Sequence, residues 1–201
     1  MNKTTLATCL LIVIALLVSV GWATKAVNAP PQDLVNTPDT SLATALSLED
    51  MVNQSDAIVI GNCVETKSVW VDRSLVTLAT VSVSESLKGG ASTLTVALPG
   101  GVDANRKIPI AMTYPGAPQM RPGKDVFLFL TSDGDVAGSY TVAGFSQGKF
   151  SIVTDEDGQQ LVSRDLRKTE LQGNNGVRRG QNSLTSLATL KAEVKGLLNK
   201  Q

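Results

Sequence analysis

The chain has 201 residues, 18 Lys/Arg balanced by 18 Asp/Glu, 4% aromatic residues and no histidine. Its length suits one globular domain with short appendages, and its composition excludes both a disordered polyelectrolyte and a dedicated nucleic-acid binder. The missing histidine rules out a Ser-His-Asp relay, and a single cysteine beyond the leader leaves no ligand set for zinc, so no cofactor is expected.

The chain opens as an export signal. Lys3 gives a positive start, Leu6 to Val20 is almost wholly apolar, and Gly21-Trp22-Ala23 puts small residues at the first and third positions before a cut. Residues 1–23 are therefore expected to be a signal peptide, and the protein to be exported, periplasmic or extracellular. The alternative is an uncleaved anchor in the inner membrane, since Leu6 to Ala23 is nearly long enough to span a bilayer. Cys9 leaves with a cleaved signal. Cys63 then has no intrachain partner and, within an apolar run, reads as a buried and inert thiol.

Residues 24–41 are rich in Pro, Asn and Thr, without period, and read as a flexible tether. Ser47 with Asp50 three residues on makes a variant capping box, and Leu46 and Met51 are spaced as a hydrophobic staple, so a short helix begins here. Strands follow. Ala57 to Val71 is apolar and then alternating, Asp72-Arg73 is a turn, and Leu75 to Val83 alternates on one face. That strand's other face is apolar and then polar, as a curved barrel strand would be. "STLTVAL" alternates strictly and ends at Pro99-Gly100-Gly101. Residues 102–123 look irregular. Val126 to Leu130 is unbroken apolar sequence, which predicts a central strand covered on both sides.

Gly144-Phe145-Ser146-Gln147-Gly148 matches the G-x-S-x-G pattern that presents a nucleophilic serine in many hydrolases. That elbow needs a helix after the turn, whereas Lys149 to Val153 alternates as a strand. A lysine could still serve as base for Ser146, with Lys149 and Lys124 the candidates, but it would have to be desolvated to lose its proton. The motif is read as a hairpin turn whose glycines supply positive φ, and no catalytic, cofactor-binding or metal residue is assigned. Asp133-Gly134-Asp135 and Asp155-Glu156-Asp157-Gly158 lack calcium-loop spacing and read as turns, the second leading into a last strand from Gln159 to Val162.

Six or so strands at roughly 10-residue spacing predict a mainly β domain over residues 42–166, a small closed barrel or a sandwich. Residues 167–182 read as a Gly/Asn-rich linker. In 183–200, Leu184, Leu187, Leu190, Val194 and Leu197 recur at helical spacing, with Asn182 or Ser183 as cap, so an amphipathic C-terminal helix should dock on the barrel. Charge is uneven: residues 24–163 carry 9 Lys/Arg and 15 Asp/Glu, net −6, and residues 164–201 carry 8 and 3, net +5. The basic end, including Arg178-Arg179, suits an acidic partner or anionic lipid; without interleaved aromatics it does not suggest nucleic acid.

"SLEDMVNQSDAIVIGNCVE", "VSVSESLKGG", "GAPQMRPGKDVFLFL" and "YTVAGFSQGKFSIV" resemble a family of exported bacterial proteins. Their motif order is similar to that of the netrin-like OB-fold module, including the N-terminal domain of tissue inhibitors of metalloproteinases. The resemblance covers about residues 45–154 and implies a small OB-like β-barrel acting as a non-catalytic binding module, with an exported metalloprotease as its most concrete partner. The inhibitors bind protease zinc through a mature N-terminal cysteine and are braced by disulfides; this chain has neither. The expected function is thus an exported binding module for a protein or glycan, with a structural envelope component as the alternative and a serine hydrolase a further one. Membrane contact is expected only if the leader stays uncleaved or the C-terminal helix lies at the interface.

Overall fold

The computed structural model describes residues 39–200 apart from 133 and 135. The expected leader, most of the tether, and Asp133 and Asp135 of the first acidic loop lie outside the described residues. Among the described residues no helix is long and apolar enough to cross a membrane.

Strand β1 (Ser41–Thr44) uses the last residue assigned to the tether, and helix α1 (Leu48–Gln54) follows it. The helix starts where its cap dictates. The Ser47 hydroxyl accepts from the Asp50 amide at 3.1 Å, and the Asp50 carboxylate accepts from the Ser47 amide at 2.9 Å. Ser55 ends it by donating its hydroxyl to Met51 O at 2.6 Å.

Strands β2 (Ala57–Val71) and β3 (Ser74–Lys88) pair antiparallel along almost their whole length, turning at Asp72 with φ +51°. Three register shifts in β2 supply the bends that carry the strand around the core. The pairing continues through β4 (Thr93–Pro99), which flanks β3, and β7 (Lys124–Thr131), which flanks β2. Beyond β7 lie β9 (Lys149–Thr154), β10 (Gln160–Arg164) and β13 (Ser183–Ser186), all antiparallel, and β8 (Thr141–Val142) pairs with the end of β7.

The eight strands form an open path, β13-β10-β9-β7-β2-β3-β4, with β8 to one side. The fold is mainly β as expected, but strand pairing does not close a barrel. The physical reason is local: β8 is two residues long, and its neighbour Tyr140 touches β4 through one isolated bridge to Val96. The strands read as a hairpin around Ser146 do not pair with each other; β8 and β9 both pair with β7.

Strand β7 separates two cores. Val126, Leu128 and Leu130 join Val59, Val81 and Val96 on one side. Phe127 and Phe129 join Ile58, Phe150 and the helices on the other. The unbroken apolar run therefore reflects cover on both faces. Cys63 is fully buried in the first core, and burial pushes its thiol pKa up.

Three further expectations are corrected. Residues 102–123 contain a small hairpin, β5 (Gly101–Asp103) with β6 (Ile110–Met112). Residues 167–182, read as a linker, form β11 (Thr169–Gly173) and β12 (Gly176–Arg179), and β11 also pairs in parallel with β1. The C-terminal helix α2 (Leu187–Leu198) starts four residues later than expected, capped by Ser186, because residues 183–186 pair with β10 instead. Leu184 accordingly leaves the helical stripe and is 63% exposed, while Leu187, Leu190 and Val194 dock α2 on the second core beside α1.

Candidate functional site

The G-x-S-x-G turn is a packing device. Gly144 has φ +62°, and a Cβ there would come within 2.6 Å of Leu46 and 2.8 Å of the Gln147 side chain. At Gly148 a Cβ would meet the Phe129 carbonyl at 2.9 Å, so that glycine lets the turn lie against β7. Between them, Ser146 is buried, its hydroxyl 3.2 Å from that of the fully buried Thr169. Gln147, also buried, accepts from the Leu46 amide at 2.9 Å and donates to Thr44 O at 2.7 Å and Gly144 O at 3.0 Å. The turn therefore clamps the segment joining β1 to α1.

Neither lysine named as a base for Ser146 serves it. Lys124 starts β7 on the exposed surface, and Lys149 Nζ donates to Ser151 Oγ at 2.6 Å. Residues two apart on a strand share a face, so Lys149 and Ser151 stand together on β9.

Two clefts meet at Lys149. One, of about 630 Å³, runs between residues 119–125 and β9. The other, of about 660 Å³, lies between residues 114–117 and residues 165–168, closed by Arg179. Gln119 and Lys149 line both. Burial, with the charge of Arg121 adding to it, holds the Lys149 ammonium below the usual lysine range.

Six cations line the two clefts, Arg121, Lys124, Lys149, Arg167, Lys168 and Arg179, against the carboxylates of Asp125 and Asp165. Asp125 accepts from the Asn62 amide group at 2.7 Å, and Asp165 pairs with Arg167 at 2.8 Å, which holds the Asp165 carboxyl below its usual range. Among the described residues, the other five cations form no ion pair. A larger cleft of about 950 Å³ beside β1, Leu46 and Phe145 has no charged lining residue. The second acidic loop is a turn as read from sequence: Asp155 Oδ1 accepts from the Asp157 and Gln159 amides.

The basic C-terminal stretch is visible in the sequence, whereas its meeting with Arg121 and Lys149, distant in the chain, is made by the fold. Ser151 and Gln147 carried no sequence signal; their roles come from the strand pairing and the turn. No family model matches the chain, and neither does any curated protein or solved structure.

Proposed function

We propose that this protein is a non-catalytic binding module acting outside the cytoplasm, which takes an acidic segment of a partner protein into the clefts meeting at Lys149. One observation carries the reading: a half-buried lysine without a carboxylate stands among five further cations, of which one is neutralised within the chain. Charges left unpaired in a concave, partly dry site attract an opposite partner more strongly than the same charges spread over open surface.

An OB-like barrel is the scaffold in this reading. It is supported by Tyr140, whose amide donates to Thr95 O and whose carbonyl accepts from Ala97 N, both at 2.8 Å, so that residues 140–142 link β4 to β7. Export rests on the leader sequence. An exported metalloprotease as partner rests on the family resemblance alone, and a structural envelope role is the alternative use of the same surface.

A second reading has its own observation. The 2.6 Å contact from Lys149 to Ser151 has the donor and acceptor types of a serine-lysine pair. One experiment separates the two. The full chain, isotopically labelled, is titrated with hexaglutamate and, separately, treated with a fluorophosphonate. Saturable amide shifts at Gln119, Lys149 and Lys168 without covalent labelling support the binding module. Labelling of Ser151 that disappears in Ser151→Ala overturns it in favour of a hydrolase, and shifts absent from both clefts overturn the location.

A further inference from the structure

Beyond the Lys149 clefts, three arginines gather where β10 ends beside the β11–β12 hairpin. Arg164 is the last residue of β10, Arg178 and Arg179 end β12, and residues 180–183 close the far wall. Together with Leu166 and Leu171 they enclose a cleft of about 530 Å³ that has no carboxylate among its lining residues.

Arg164 is the unusual member. Its guanidinium stacks 4.9 Å above the Phe150 ring, and one terminal nitrogen donates to Gln147 O at 3.1 Å. Its Nε is buried and has no hydrogen-bond partner, and no ion pair reaches the side chain among the described residues. Burial pushes its pKa below the usual arginine range. A half-buried cation without a counter-ion is disfavoured, and a Met or Leu would cover Phe150 without that penalty. Arg178 stands exposed on the neighbouring hairpin and forms no ion pair among the described residues, and Arg179 spends its Nε on Arg167 O at 3.1 Å.

Two guanidiniums without a counter-ion lining one cleft, Arg164 half-buried and Arg178 exposed, with no acid in the lining, are a donor set for a planar or tetrahedral oxyanion. The volume exceeds that of a bare ion and lies within the range of small-ligand sites, roughly 300–1,000 Å³. We propose that this cleft binds the oxyanion group, carboxylate or phosphate, of a small ligand, with Arg164 as the half-buried fork and Arg178 as the exposed clamp. The site is separate from Lys149, although Arg179 lines a cleft on each side, and it stands or falls independently of the acidic-partner reading.

The test follows the arginine side-chain Nε–H resonances of the full chain at constant ionic strength, during titration first with sodium phosphate and then with sodium succinate. The expected result is saturable movement of the Arg164 and Arg178 signals; response to phosphate alone identifies a phosphate-bearing ligand, and response to succinate a carboxylate-bearing one. Arg178→Ser, on an exposed strand end, should keep the fold and weaken the anion about tenfold or more, the loss of one charge-assisted contact. Arg164→Met should abolish saturation while melting no lower than the unsubstituted protein. Drift linear in concentration for both anions, unchanged affinity in Arg178→Ser, or a large loss of stability in Arg164→Met would each overturn the proposal.

Discussion

Replacing Phe127 and Leu128 one at a time tests the two-core architecture. Both side chains are fully buried, and they project to opposite faces of β7. Phe127 lies 5.3 Å from Phe129 and 6.3 Å from Phe150 between ring centroids, the second contact edge-on. Its removal forfeits two aromatic contacts, each worth about 0.5–1.5 kcal/mol, besides opening a cavity. Phe127→Ala should therefore cost about 3–5 kcal/mol, and Leu128→Ala about 2–5 kcal/mol. For a domain of this size each kcal/mol lowers the melting midpoint by about 2–4 °C, so either variant should melt roughly 5–20 °C lower. Val153→Ala, at a position 44% exposed on β9, should change stability by no more than about 0.5 kcal/mol and serves as control. Urea melts of the three purified variants read this directly. Large losses for Phe127 and Leu128 with a silent control support two cores; a loss below about 1 kcal/mol for either would mean that its face is not packed and the architecture is wrong.

Gln147→Leu should cost about 2–4 kcal/mol, because the Leu46 amide and the Thr44 carbonyl lose their partner; limited proteolysis should then cut faster between residues 39 and 47. Ser146→Ala removes one hydroxyl contact to Thr169 and should cost about 1 kcal/mol by chemical denaturation, with no effect on ligand binding. Glu85 accepts from Lys191 and pairs with Lys195 at 3.5 Å on α2, and these partners hold its carboxyl below the usual range. A depressed carboxyl stabilises the fold above its unfolded pKa of about 4.3, and that stability is lost as pH falls through the lower folded value. Glu85→Gln should accordingly cost about 0.5–1 kcal/mol at pH 7, and its melts should converge with those of the unsubstituted protein as pH falls below about 4.

Local signals in the sequence were legible where their physics is local. Ser47 and Asp50 announce α1 because a capping box needs only its own four residues, and Asp72-Arg73 announces the β2–β3 turn for the same reason. The run Val126 to Leu130 announces cover on both faces, since only a doubly buried strand abandons alternation. What escaped was set by distant partners. Residues 183–186 look like the first turn of a helix until β10 offers them hydrogen bonds, so the true cap is Ser186. Residues 167–182 look like a linker because Asn and Gly dominate the hairpin turn, while the pairing that makes β11 comes from β1, over a hundred residues earlier. Ser146 matched a catalytic pattern, yet its flanking glycines answer to Leu46, Gln147 and Phe129. The cationic clefts join residues 114–125, 149 and 165–179, a juxtaposition only the fold creates.

Whether the Lys149 clefts bind an acidic partner is tested most directly by hexaglutamate affinity, measured calorimetrically on the full chain and on Lys149→Gln. Among the described residues the Lys149 ammonium donates only to Ser151, so the substitution should leave the fold intact. Binding should be saturable, weaken from about 50 to about 200 mM salt as surface charge is progressively screened, and fall about tenfold or more in Lys149→Gln. Equal affinity in the two proteins, or binding indifferent to salt, would contradict the acidic-partner reading.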